Sequence, residues 1–131
     1  MRAFFSLKKY YPPLLWMVII FWFSSQPDLP SNELVLFDFI VKKTAHFSEY
    51  LILTILWYRA LEKKNPSAAI LISLGYAFSD EIHQLFVPGR GGTLRDVFID
   101  TLGIIASVVV ITKLQIWKSF SSPHRFRKLR A

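Results

Sequence analysis

The chain has 131 residues, is 53% hydrophobic and 16% aromatic, and has a mean hydropathy of +0.36; a soluble domain of this size cannot bury that much apolar surface. Its net charge of +7 does not point to nucleic acid, because no basic stretch is interleaved with the aromatics that a single-strand binder needs, and cations flanking apolar runs hold cytoplasmic ends near anionic lipid. The absence of cysteine excludes disulfides, a thiolate nucleophile and thiolate metal ligands.

In chain order, a short basic segment (Arg2, Lys8, Lys9) precedes an uncharged run over 10–27. Pro12 and Pro13 suit a helix start, where a missing N–H costs little, and 14–23 is the apolar centre of a first span. A secretory signal peptide is the rival reading, but bulky Trp22 and Phe23 crowd the exit that a cleavage site would need. QPDLPSN at 26–32 is a turn, in which Ser31 or Asn32 would cap a helix with Glu33 in its first turn. An interfacial segment over 34–41, interrupted by Asp38, leads into a second span over about 39–58. Lys42, Lys43, His46 and Glu49 of that span lie within about 120° on a helical wheel and share one face.

Asn65-Pro66 opens a third span over 67–84. Ser73, Tyr76, Asp80, His83 and Gln84 fall on one side of it, and Ala68, Ala69, Gly75 and Ala77 permit close packing. Val87-Pro88-Gly89 breaks this helix. Thr93 with Asp96 fits a capping pattern, so a fourth helix starts near Leu94 and runs to about Gln115, with Asp96, Asp100, Gly103 and Ser107 on its polar or small face. A loosely ordered basic tail follows from Lys118. Neither an internal repeat nor β alternation is present. The reading is all-α: one domain over 1–131, with a core over about 10–115, forming a polytopic bundle of four transmembrane helices.

Charge sets the orientation. Arg2, Lys8, Lys9, Arg59, Lys63, Lys64, Lys113, Lys118, Arg125, Arg127, Lys128 and Arg130 fall at one end of the spans. Only Lys42, Lys43, Arg90 and Arg95 fall at the other, out of 16 Lys and Arg in all. The positive-inside rule then puts both termini in the cytoplasm. Three polar helix faces converge near the outer leaflet, where ionisable groups mark a site. His46, Glu49, Asp80, Glu81, His83 and Asp100 are the candidates for acid–base catalysis. Lys43, Gln84, Arg90, Arg95 and Asp96 are the candidates for substrate binding, with the two arginines and the helix start after Thr93 suited to a phosphate. The i, i+3 and i+4 spacings of His46 with Glu49, and of Asp80 with His83 and Gln84, are usable for a metal, but no tight His-rich motif names one. Gly89, Gly91 and Gly92 read as an ordinary turn rather than a phosphate cradle; neither a phosphate-binding-loop ending nor a Gly-x-Ser-x-Gly elbow is present.

FSSQP (23–27), KKTAHFSEY (42–50), SDEIHQLFVPGR (79–90) and RDVFIDTLG (95–103) stand in the order shown by the VanZ-like family of small membrane proteins, and the chain resembles that family over about 23–103. The resemblance implies a bacterial multi-span inner-membrane protein. The family takes its name from a glycopeptide-resistance cluster, where its member is associated with reduced sensitivity to teicoplanin. It implies no defined biochemical activity. The leading expectation is binding of, or action on, an envelope lipid or lipid-linked cell-wall precursor at the outer face, with no nucleic-acid partner. The alternatives are an acid–base or metal-assisted enzyme acting on a lipid, and a scaffold whose charges only hold the bundle. Cofactor and metal are left open.

Overall fold

The computed structural model describes residues 7–27 and 35–121. The described residues form a 3-10 turn, Lys8–Tyr10, and four helices: α1 (Tyr11–Ser24), α2 (Val35–Ala60), α3 (Pro66–Gln84) and α4 (Leu94–Ser121). There is no strand among them. The expected cap at Ser31 or Asn32 and the terminal basic residues Arg2 and Arg125 to Arg130 lie outside the described residues.

The local causes are legible. Pro12 and Pro13 occupy the first turn of α1, where the amide they lack would be unpaired anyway. Asn65 caps α3, its Oδ1 accepting from the Ala68 amide at 2.9 Å. Thr93 caps α4, its hydroxyl accepting from the Asp96 amide at 3.3 Å. Between α2 and α3 the chain reverses through Glu62 and Lys63, both left-handed; the Tyr58 hydroxyl donates to the Lys63 carbonyl at 3.0 Å and holds the turn. Lys9 pairs with Glu62 at 2.7 Å, tying the amino-terminal turn to this reversal at one end of the bundle.

The pairing of α2 with α4 is the most extensive helix contact. Gly103 explains it: a Cβ there would overlap the Phe47 carbonyl of α2, so only glycine lets the two backbones approach this closely. Ser73 and Ala77 on α3 and Ser107 on α4 are fully buried. Ile20, Tyr50, Leu53, Ala77 and Ile104 form the central core, and Tyr58, Ala69 and Ile111 form a second cluster nearer the α2–α3 turn.

Three expectations change. The interfacial segment and second span are one continuous helix of 26 residues. The fourth helix continues through Lys118 to Ser121 rather than giving way to a loose tail there. Gly75 is not a packing residue: a Cβ at that position would meet nothing within 4 Å. Among the described residues no helix is long and apolar enough to cross a membrane. The 14 residues of α1 rise only about 21 Å, against a hydrocarbon core of about 30 Å. Asp38, Lys42, Lys43 and Glu49 interrupt α2, and Asp80 and Glu81 close α3.

Candidate functional site

At the end of the bundle away from the α2–α3 turn, the polar faces of α2, α3 and α4 meet. A cleft of about 490 Å³ opens there, lined by Phe23, Ser24, Val41, Lys42, Lys43, Ala45, His46, Glu49, Asp80, Gln84, Arg90 and Gly91. Of the sequence candidates, Lys43, His46, Glu49, Asp80, Gln84 and Arg90 reach this cleft. The helical period of α2 places the first three: positions 43, 46 and 49 recur every three residues and face the same way.

At the cleft wall, α2 and α4 are joined by two side-chain pairs one helical turn apart. His46 Nδ1 lies 3.0 Å from Asp100 Oδ1, with both side chains buried. One turn earlier, Lys43 pairs with Asp96, and its ammonium also sits 5.4 Å from the Phe39 ring centroid. Lys42 pairs with Asp38 on its own helix. On α3, the Gln84 side-chain amide donates to Asp80 Oδ2 at 2.9 Å. Glu81 joins α3 to α4: its Oε2 accepts from the Thr93 amide at 2.8 Å.

The loop 85–93 is shaped by its glycines rather than merely loosened by them. Gly89 has φ of 76°, a left-handed turn that costs glycine least. Gly92 is pressed against the Glu81 carbonyl, where a Cβ would overlap it. This seats the start of α4 on the end of α3 and brings Arg90 and Gly91 to the cleft.

Several polar atoms here are buried and have no hydrogen-bond partner among the described residues: Asp80 Oδ1, Glu81 Oε1, Arg90 Nε, Asp100 Oδ2 and the Tyr50 hydroxyl. Buried polar groups are nearly always paired, and five of the seven such atoms among the described residues are these; Ser73 Oγ and Trp57 Nε1 are the other two. Ligand atoms of His46, Glu81 and Asp100 lie within 4.8 Å of one another, the described cluster able to converge on a metal.

His83, Arg95 and Asp96 are elsewhere. His83 does not line the cleft; its ring stacks on Phe21 with centroids 4.4 Å apart, and its Nε2 lies 3.0 Å from the Ser25 hydroxyl. The reason is geometric: a step of three residues from Asp80 turns about 300°, so His83 is offset by about 60° towards α1. Tyr76 has the same offset from Ser73 and donates to the Met17 carbonyl of α1 at 2.6 Å. The expected single polar face of α3 is therefore two adjacent faces. Arg95 is 63% exposed, its guanidinium 5.2 Å from the Phe39 ring centroid, outside the cleft. Asp96 is committed to Lys43 rather than facing the cleft. Sequence reading missed Tyr50, Ser25 and Gly92. Burial and close approach leave no spacing signal in sequence.

A family model described as VanZ/LLP1 matches residues 10–117, and the chain belongs to that family. An uncharacterized membrane protein, YwnJ, of Bacillus subtilis (strain 168) is 32% identical over 92 residues, which cover 66% of this chain and 64% of that relative. The chain thus spans somewhat under two thirds of that relative's length. No solved structure matches it.

Proposed function

We propose that this VanZ-family chain is a polytopic bundle in the bacterial cytoplasmic membrane, with both termini inside. Its outer cleft binds the anionic headgroup of an envelope lipid or lipid-linked cell-wall precursor. The observation that carries the ligand class is Arg90: it lines the cleft, and its Nε is buried with no partner among the described residues. A guanidinium matches phosphate and carboxylate geometry. A headgroup oxygen would supply the missing acceptor, with Gln84 and Glu49 available to sugar or amide groups beside it.

Membrane residence is supported by the relative's name and by the outward faces. Leu94, Phe98, Leu102, Ile105 and Val109 form an exposed apolar stripe on α4, opposite its buried Asp96 and Asp100; Leu71, Phe78 and Ile82 do the same on α3. Exposed apolar area of this extent needs a covering phase. The ion pair of Lys9 with Glu62 supports a common side for the amino terminus and the α2–α3 turn, where the cationic residues gather. A link to glycopeptide resistance rests on the family alone.

A second reading is favoured by one observation. His46 lines the cleft while its Nδ1 is held by buried Asp100, an arrangement that orients an imidazole for general-base work. The two readings share the ligand and differ in turnover.

The test is lipid retention by the purified full chain in nanodiscs, read by native mass spectrometry. Phosphatidylglycerol and undecaprenyl phosphate serve as anionic probes, and phosphatidylcholine as the neutral one. Preferential retention of either anionic probe, reduced at least about 10-fold in Arg90→Gln, is expected; loss of one bond to a charged group costs about 1.5–3 kcal/mol. Equal retention of all three lipids refutes the headgroup reading. A product mass appearing on incubation selects the enzyme. A reporter fused after Gly91 that reads cytoplasmic refutes the outer-face assignment.

A further inference from the structure

We propose that His46, Glu81 and Asp100 form a binding site for a zinc-class divalent cation, buried between α2, α3 and α4. Each residue comes from a different helix, and their ligand atoms lie within 4.8 Å of one another. Ligands bound at about 2.1 Å lie about 3.4 Å apart around a tetrahedral zinc. His46 Nδ1 and Asp100 Oδ1, hydrogen-bonded at 3.0 Å, would open by about 0.4 Å as the metal replaced the proton between them. Glu81 needs a shift on the order of 1 Å.

The second observation is independent of this proximity. Asp100 is 0% and Glu81 5% exposed, and each has one oxygen, Oδ2 and Oε1, with no partner among the described residues. Glu81's other oxygen is held by the Thr93 amide, which fixes the carboxylate as an outer partner would. Asp80, 3% exposed and likewise carrying an unpartnered oxygen, adds negative charge nearby. The neighbouring lysines and arginine do not answer the charge of Glu81 and Asp80. Lys43 is taken by Asp96, Lys42 by Asp38, and Arg90 forms no ion pair among the described residues. A divalent ion would neutralise the buried carboxylates and supply the missing contacts.

The donor set selects the class. One imidazole with two carboxylates suits zinc and its first-row neighbours; a site for magnesium or calcium would be all oxygen. Three protein ligands leave a position open, as in metal sites that bind water or substrate. Of the trio His46 alone lines the cleft, so that position would be reached from the cleft side.

The assignment does not depend on the headgroup reading, and its test uses metal without lipid. The full chain in detergent, stripped with chelator, is titrated with zinc chloride, manganese chloride or magnesium chloride. Bound metal is measured after dialysis, and unfolding by thermal shift. One zinc per chain and a raised midpoint are expected, in the wild type and in Glu62→Gln, with binding at least about 10-fold weaker in Asp100→Asn and Glu81→Gln. Should those variants not fold, X-ray absorption at the zinc edge of the wild type decides: one imidazole with oxygen neighbours is expected. Less than about 0.1 zinc per chain, preference for magnesium, undiminished binding in folded variants, or a shell with no imidazole or several overturns the site.

Discussion

Replacing Gly103 by alanine tests the contact on which the site rests. The added Cβ would overlap the Phe47 carbonyl, a backbone atom of α2 that cannot rotate away, so α2 and α4 must separate. Overpacking of this kind costs about 1–3 kcal/mol. Gly75→Ala is the matched control, because a Cβ there meets nothing within 4 Å and alanine is favoured over glycine in a helix by about 0.5–1 kcal/mol. Taking about 3–5 °C per kcal/mol for a chain of this length, Gly103→Ala lowers the unfolding midpoint by about 3–15 °C and Gly75→Ala raises it by about 2–5 °C. The measurement is thermal unfolding of both purified variants in the same detergent. Separation of the helices also pulls apart His46 and Asp100, one turn from Gly103 and 3.0 Å from each other, so headgroup retention falls in Gly103→Ala and is unchanged in Gly75→Ala. If Gly103→Ala melts at or above the wild type, the close approach of α2 and α4 is wrong, and the site built on it fails.

Two other outcomes follow from contacts away from the cleft. His83→Ala removes the stack on Phe21 and the Ser25 hydrogen bond and should lower stability by about 1–2 kcal/mol, while lipid retention stays at the wild-type level; loss of retention in a folded His83→Ala would return that residue to the cleft. The Glu62 carboxyl is pulled down to about 2, first by the hydrogen bond from Lys9 and then by that from Lys64. Its folded value lies below its unfolded one, so its stabilisation is full above the ordinary carboxylate range and is lost as pH falls towards 2. The difference in melting temperature between wild type and Glu62→Gln should therefore shrink from pH 6 to pH 2; a constant or growing difference contradicts the pairing.

Periodicity made the helices legible, and capping residues their starts: Pro12, Asn65 with Pro66, and Thr93 all mark observed helix beginnings. The same rule brought Lys43, His46 and Glu49 to one face and Asp80 with Gln84 to another. It failed where a wheel is too coarse: an offset of about 60° sends His83 and Tyr76 to α1, because α1 supplies partners there and the wheel contains no neighbours. Glycines showed the same limit. Gly75 and Gly103 are indistinguishable by type and setting, yet one faces open space and the other a backbone carbonyl; only the helix crossing decides which. The trio of His46, Glu81 and Asp100 was out of reach, since it draws one residue from each of three helices and has no spacing in sequence.

Among the described helices, α2, α3 and α4 fall short as spans for the same reason that the cleft exists, whereas α1 is simply short. A hydropathy average runs along the chain and sums both faces of a helix, whereas lipid meets only the outer one. In α4 the groups that lower the average, Asp96 and Asp100, are buried; in α2 it is Lys43, His46 and Glu49, which turn to the cleft. Residues at the outward positions are apolar: Leu36, Phe37 and Ile40 on α2, and Leu94, Phe98 and Leu102 on α4, are exposed. If the charges only secured the bundle, each would end in a pair, as Lys43 does with Asp96. Asp100, Asp80 and Glu81 do pair, with His46, Gln84 and the Thr93 amide, but each of them and Arg90 still keeps one buried atom with no partner among the described residues. An interior that leaves such atoms unsatisfied is destabilised by each of them, and small-residue contacts such as Gly103 against Phe47 already join the helices. The polarity that defeats the hydropathy test is thus concentrated where a bound anion at Arg90 and a cation among the carboxylates would complete it.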